Sequence, residues 1–180
     1  MASGVVSSTE IELKRGTTIS AWDLWNTSDL GDPIRAFYGG CCETVCVILE
    51  EEGGLLFGIE CSPDQRIMIN NRKHGTWTCA KDVRPGMRVM CRPRKEESER
   101  SFIWPPIRSV DETGRFVNVY NCHSLKGVEL GPNGFRRIGS YVVNRVVCLP
   151  LGEEGKCPCD DCRDATAEHL AELVEQKLVL

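Results

Sequence analysis

Short apolar runs broken by turn residues follow one another from Thr9 to Leu149, and this pattern confines the chain to a fold made of β-strands. The clearest unit is Val45 to Leu49, a continuous apolar run. Glu50 to Gly54 closes it with a polar turn ending in glycine, and Leu55 to Cys61 returns. That order predicts a β-hairpin with a buried first strand. Thr9 to Leu13, Thr17 to Leu24, Arg66 to Asn70, Thr76 to Cys79 and Met87 to Cys91 read as further short strands. So do Ile107 to Val110, Phe116 to Cys122, Val128 to Leu130, Phe135 to Ile138 and Tyr141 to Leu149. The charged, proline-containing stretch Arg92 to Pro106 reads as a surface loop. The expected fold class is all-β, with a C-terminal helix.

The pattern changes after residue 150. Residues 151–164 are rich in Gly, Pro, Cys and acid, as a linker or small site would be. From Ala165 to Leu180, apolar residues at Leu170, Leu173, Val174 and Leu178 lie on one helical face. Asp164 is placed to cap that helix, and Glu168 lies in its first turn. The expected organisation is therefore a β domain over 1–150, a Cys-rich linker over 151–164 and an amphipathic helix over 165–180. The helix is expected to dock on its own domain. A weak internal repeat, Asp29 to Ala36 against Asp82 to Val89, is compatible with two related β subdomains.

Charge narrows the possible functions. The formal net charge is −4, which argues against broad phosphate neutralisation and hence against a nucleic-acid partner. The basic run Arg84, Arg88, Arg92, Arg94 and Lys95 is followed by Glu96, Glu97 and Glu99, so a solvated loop is expected there. No apolar stretch reaches the ~20 residues that span a bilayer, and Met1 to Glu10 lacks the features of a secretory leader. A cytoplasmic or other reducing compartment is expected, with no membrane association. The eleven cysteines are then expected to be thiols, several of them acting as small hydrophobes in strands.

Cys157, Cys159 and Cys162 supply three thiolates within six residues, one short of tetrahedral zinc. His169 is far for the fourth ligand, and Cys148, Cys41 or Cys42 could reach it only from the β domain. Surface thiols are the expectation and zinc the alternative; no other cofactor is implied.

Glu60-Cys61-Ser62-Pro63-Asp64-Gln65-Arg66 leads into an apolar strand. Gly75-Thr76-Trp77, Ala80-Lys81-Asp82-Val83 and Arg84-Pro85-Gly86-Met87-Arg88-Val89 follow. In order and spacing this stretch resembles the Hint (hedgehog/intein) family. Thr9-Glu10-Ile11 and Leu30-Gly31-Asp32-Pro33-Ile34 look like the family's opening. Val119-Tyr120-Asn121 and Ser140 to Cys148 look like two of its later strands. The resemblance covers roughly residues 4 to 150.

That resemblance implies a compact, pseudo-twofold β fold. It also implies single-turnover self-processing on the protein's own flanking polypeptide. The family's first residue attacks the preceding carbonyl, exchanging an amide for an ester or thioester. A His in the turn assists by proton transfer. Carried over residue by residue, the nucleophile position falls on Gly4, or on Ser3 if the opening is one residue longer. Ser62 stands for the turn's Thr, Asp64 keeps its place, and Gln65 replaces the His. Asn121 replaces an Asp common in the family, with Cys122 beside it. Leu149-Pro150 stands where His-Asn would be, and Cys148 is the nearest thiol to that end. Only three residues precede Gly4, so no N-terminal flank is expected in this chain. Glycine has no nucleophile and an amide does not shuttle protons near pH 7. His74 and His123 are expected in solvent. The implied module is therefore degenerate and inactive in splicing. The alternative is an all-β structural or interaction module with an unknown protein partner and a zinc-binding tail.

Overall fold

A computed structural model describes residues 2–13, 17–27, 34–71, 74–94, 102–124, 128–131, 134–137 and 141–149. Two antiparallel sheets dominate them. The first closes into a small barrel in the order β1 (Val5–Val6), β5 (Leu56–Cys61), β4 (Ile34–Glu50) and β9 (Ile107–Ser124). The second runs β3 (Thr18–Ser20), β2 (Glu10–Glu12), β12 (Tyr141–Val143), β13 (Val146–Leu149), β6 (Arg66–Asn71) and β7 (His74–Cys79), with β8 (Arg88–Val89) also paired to β6. A separate hairpin joins β10 (Val128–Gly131) and β11 (Gly134–Arg137). The all-β expectation holds. The segments 151–164 and 165–180, and most of the first copy of the internal repeat, lie outside the described residues.

The predicted hairpin is present, with Val47 opposite Ile59 and Leu49 opposite Phe57. Its first strand is far longer than the apolar run. It starts at Ile34, because β9 pairs with it from Ile34–Ser124 to Leu49–Ile107. Those ladder bonds join residues far apart in sequence, so no local signal marks where β4 begins. Val5, Val47, Leu49 and Ile59 of the barrel join Ile11, Ile67, Val89 and Val143 of the second sheet in one buried core. Burying each such side chain contributes roughly 1.5–3 kcal/mol.

Thr17 to Leu24 is not one strand. It turns helical at α1 (Ala21–Asn26), where Ser20 Oγ accepts the Asp23 amide at 3.1 Å and caps the first turn. The helix buries Ala21 and Leu24 and is held by Ala21 N–H to Thr9 O and Trp22 N–H to Ser7 O. The ends of the predicted surface loop are tied in as well: Cys91 and Ile103 exchange backbone hydrogen bonds of 2.9 and 2.8 Å.

The β12–β13 turn is built on Asn144 (φ 43°) and Arg145 (φ 72°), both left-handed. A two-residue hairpin of this type demands positive φ at both positions. Asparagine tolerates it; arginine does so only when its surroundings hold it. Arg145 ion-pairs with Glu51, sends Nε to Arg92 O at 3.0 Å and lays its guanidinium 4.3 Å from the centre of the Phe57 ring. Asn144 donates to Gly58 O. The turn is thus latched to the β4–β5 hairpin. The hydrogen bond from Arg145 holds the Glu51 carboxyl below its ordinary range, and the charges of Arg145 and Arg94 act in the same direction.

Two substitutions separate the strain from the latch. Arg145→Gly relieves the left-handed backbone but loses the latch, and is expected to cost about 1–2 kcal/mol in urea unfolding. Arg145→Ala loses the latch and keeps the strain, so it should cost more. A carboxylate with a depressed pKa contributes its stability above its unfolded value and loses it as pH falls through the folded one. The gap between wild type and Arg145→Gly should therefore narrow on acidification toward pH 3.

Candidate processing site

The segment before β1 lies against both of the longest strands, where the β4–β9 register shifts between Tyr38 and Gly40. Ser3 donates its amide to Gly39 O at 2.9 Å. A Cβ on Gly39 would fall 1.8 Å from Ser3 O, so only glycine lets the two backbones lie this close. Gly4 and Ser62 then bond reciprocally: Gly4 N–H to Ser62 Oγ at 3.0 Å, and Ser62 N–H to Gly4 O at 2.9 Å. Gly4 has φ 146°, and a Cβ there would sit 2.4 Å from Tyr120 O and 2.5 Å from Tyr120 C.

A buried polar cluster surrounds this point. The Ser62-Pro63-Asp64-Gln65 turn closes through Gln65 N–H to Ser62 O at 3.1 Å, and Gln65 is fully buried. Its Nε2 donates to Arg66 O at 3.1 Å. Asn121, also fully buried, donates Nδ2 to Ser3 Oγ at 2.9 Å. Its Oδ1 accepts Tyr141 OH at 2.5 Å and the Cys122 amide at 3.0 Å. Tyr141 Oη also lies 3.5 Å from Gln65 Oε1. Burial, the first of several causes, pushes the Tyr141 phenol well above its ordinary value. Every buried polar group needs a partner, and these side chains supply one another.

Of the sequence candidates, Ser3, Gly4, Ser62, Gln65 and Asn121 meet here. Cys148 stands opposite Tyr141 across the β12–β13 pair and beside Ile67 of β6. Asp64 is not in the cluster, because its carboxylate turns outward to Lys81 Nζ at 2.8 Å. Leu149 pairs with Arg66 of β6, while Pro150, Cys157, Cys159, Cys162 and His169 lie outside the described residues. Among the described residues, no group of three or more His, Cys, Asp or Glu is arranged to hold a metal ion, and no helix is long and apolar enough to cross a membrane. Tyr141 was legible only as the start of a strand. Its role as the donor to Asn121 depends on a contact between separate sheets.

No family model matches this sequence, and no curated protein matches it. Solved structures do. The DnaB intein from Synechocystis sp. PCC 6803 is 19% identical, with a TM-score of 0.57 over 82% of this chain and 98% of that one. The TvoVMA intein is 15% identical, with a TM-score of 0.56 over 82% and 97%. An intein from a hyperthermophile is 10% identical, with a TM-score of 0.52 over 82% and 99%. This chain has the Hint fold of inteins. Within it, the pairings of β1 with β5, β12 with β13 and β13 with β6 bring β1, the turn after β5 and the β12–β13 hairpin to one centre.

The thiols near the centre of this Hint domain are poorly disposed to act as nucleophiles. Cys61, Cys122 and Cys148 are fully buried, and burial pushes each far above the ordinary thiol range. Burial takes Cys91 up to about 12. The thiolate is the reactive form, and it is scarce at neutral pH under these conditions. Iodoacetamide applied to the native protein at pH 8 should therefore label the exposed Cys41 and spare Cys61, Cys91, Cys122 and Cys148. Unfolding in guanidinium should release all four to alkylation, read by peptide mass spectrometry.

Proposed function

We propose that this chain is a degenerate Hint module, which seats its own upstream backbone at the processing centre without cleaving it. The observation that carries the reading is Gly4. It occupies the position where the family resemblance puts the nucleophile, and its missing side chain is matched by the Tyr120 carbonyl that fills the space. An acyl shift needs a hydroxyl or thiol here, aimed at the carbonyl of the residue before. Gln65 supports the same reading. Its amide binds backbone and stands near the Tyr141 hydroxyl, and it neither takes up nor releases a proton near pH 7. Ser3 Oγ, the other candidate, accepts from Asn121 Nδ2, and an amide gives it no base. What remains is a polar clamp: Gly39 O, Ser62 Oγ and Asn121 Nδ2 hold residues 3 and 4 in place.

A reporter fused upstream of Ser3 tests the proposal. No release is expected at neutral pH, with or without dithiothreitol or hydroxylamine, both of which intercept esters and thioesters. Cleavage immediately before Ser3, or between Ser3 and Gly4, would overturn it. The same reading makes Gly4→Cys a damaging change. A side chain at φ 146° against a backbone carbonyl is expected to cost about 2–4 kcal/mol in urea unfolding. A neutral effect would mean that the position can accept a nucleophile after all.

A further inference from the structure

Outside the site, one group of neighbouring apolar side chains left exposed among the described residues is aromatic. Trp22 and Trp25 of α1 and Tyr38 of β4 surround the ring of Tyr120, at centroid distances of 5.9, 6.1 and 6.0 Å. Tyr120 is buried at 4% exposure, but the outer rings remain open: Trp22 49%, Trp25 43% and Tyr38 49%. Three large rings left half in water make a patch on the order of 300 Å², the scale of the largest apolar patch on a typical single chain, which is often a functional surface. The sequence of residues 165–180 also carries apolar residues at helical spacing, Leu170, Leu173, Val174 and Leu178. An isolated helix this short is marginal in water without tertiary packing.

We propose that residues 165–180 of this chain dock as an amphipathic helix on the aromatic face formed by Trp22, Trp25, Tyr38 and Tyr120.

The place where the chain leaves the sheets favours its own tail over a foreign partner. β13 ends at Leu149 beside Arg66. Arg66 follows Gln65, Gln65 lies near Tyr141, and Tyr141 bonds to Asn121, the residue after Tyr120. The tail thus starts from the centre that backs the aromatic face. At about 3.3 Å per residue, residues 150–164 can reach on the order of 50 Å, well beyond the ~16 Å radius of gyration of a compact chain of this length. A tether of this kind holds its end at an effective concentration around the millimolar range, which a separate partner must exceed. The dimensions agree too. Leu170 to Leu178 covers about 12 Å along a helix axis, comparable to a patch whose outer rings each sit close to 6 Å from its centre.

The test uses the full chain and hydroxyl-radical footprinting read by peptide mass spectrometry, with Trp77 and Trp104 as internal references. Leu170→Asp with Leu173→Asp places two charges on the apolar face of the helix. Oxidation of Trp22 and Trp25 is expected to rise about threefold or more in this variant, with Trp77 and Trp104 unchanged. In the reciprocal experiment, Trp25→Ser with Tyr38→Ser removes half-exposed rings and should speed amide exchange over 165–180. Equal oxidation of Trp22 and Trp25 in wild type and the Asp variant would overturn the proposal. Protection that persists in that variant and grows with protein concentration would give the face to a second copy, and would overturn it as well.

Discussion

The close approach of residues 3 and 4 to β4, β9 and the turn after β5 is the constraint on which the rest of this structure depends. Gly4 exchanges hydrogen bonds with Ser62 and lies against the Tyr120 carbonyl, while Ser3 lies against Gly39. Side chains at Gly4 or Gly39 would force these backbones apart. With them absent, β1 fits between β5 and β9 and the barrel closes. Closure removes the free edges that an open sheet of four short and long strands would leave to water or to other chains.

Closing the barrel buries polar groups, and this shapes the chemistry. Ser62, Gln65 and Asn121 are fully buried, so each must be satisfied within the protein. Amides and hydroxyls meet that need without ionising. An imidazole in the same place would bring a titrating charge into a poorly solvated centre, useful for moving protons but costly to bury. Gln65 and Asn121 therefore bind backbone and neighbouring side chains at this centre without a titrating charge. The buried cysteines fit the same picture: in their neutral form they pack as small hydrophobes, and burial keeps them neutral.

The second sheet is tied to the barrel from outside by Arg145. Its left-handed backbone is unfavourable in isolation, and it is held by an ion pair, a ring face and a carbonyl at once. The hairpin that brings Tyr141 to Asn121 is thereby positioned from its far end. Positioning and site chemistry are connected through one turn.

Local sequence determined a good deal. The alternation of apolar runs and turns sets the all-β class and the β4–β5 hairpin, since each depends on neighbours within a few residues. The order of the motifs was enough for the resemblance to the Hint family. Where the local signal was weak, tertiary contacts prevailed. Thr17 to Leu24 carries β-branched residues yet turns helical at Ala21, where a Ser20 cap and burial of Leu24 against the core outweigh strand propensity. β4 reaches back to Ile34 because β9 is there to pair with it. The centre itself was decided only by the tertiary structure: Ser3 meets Asn121 across 118 positions of sequence, and Asn121 meets Tyr141 between two sheets. Sequence named residues for that centre, but a hydrogen bond is a matter of distance and direction, and those exist only once the sheets have closed around Gly4.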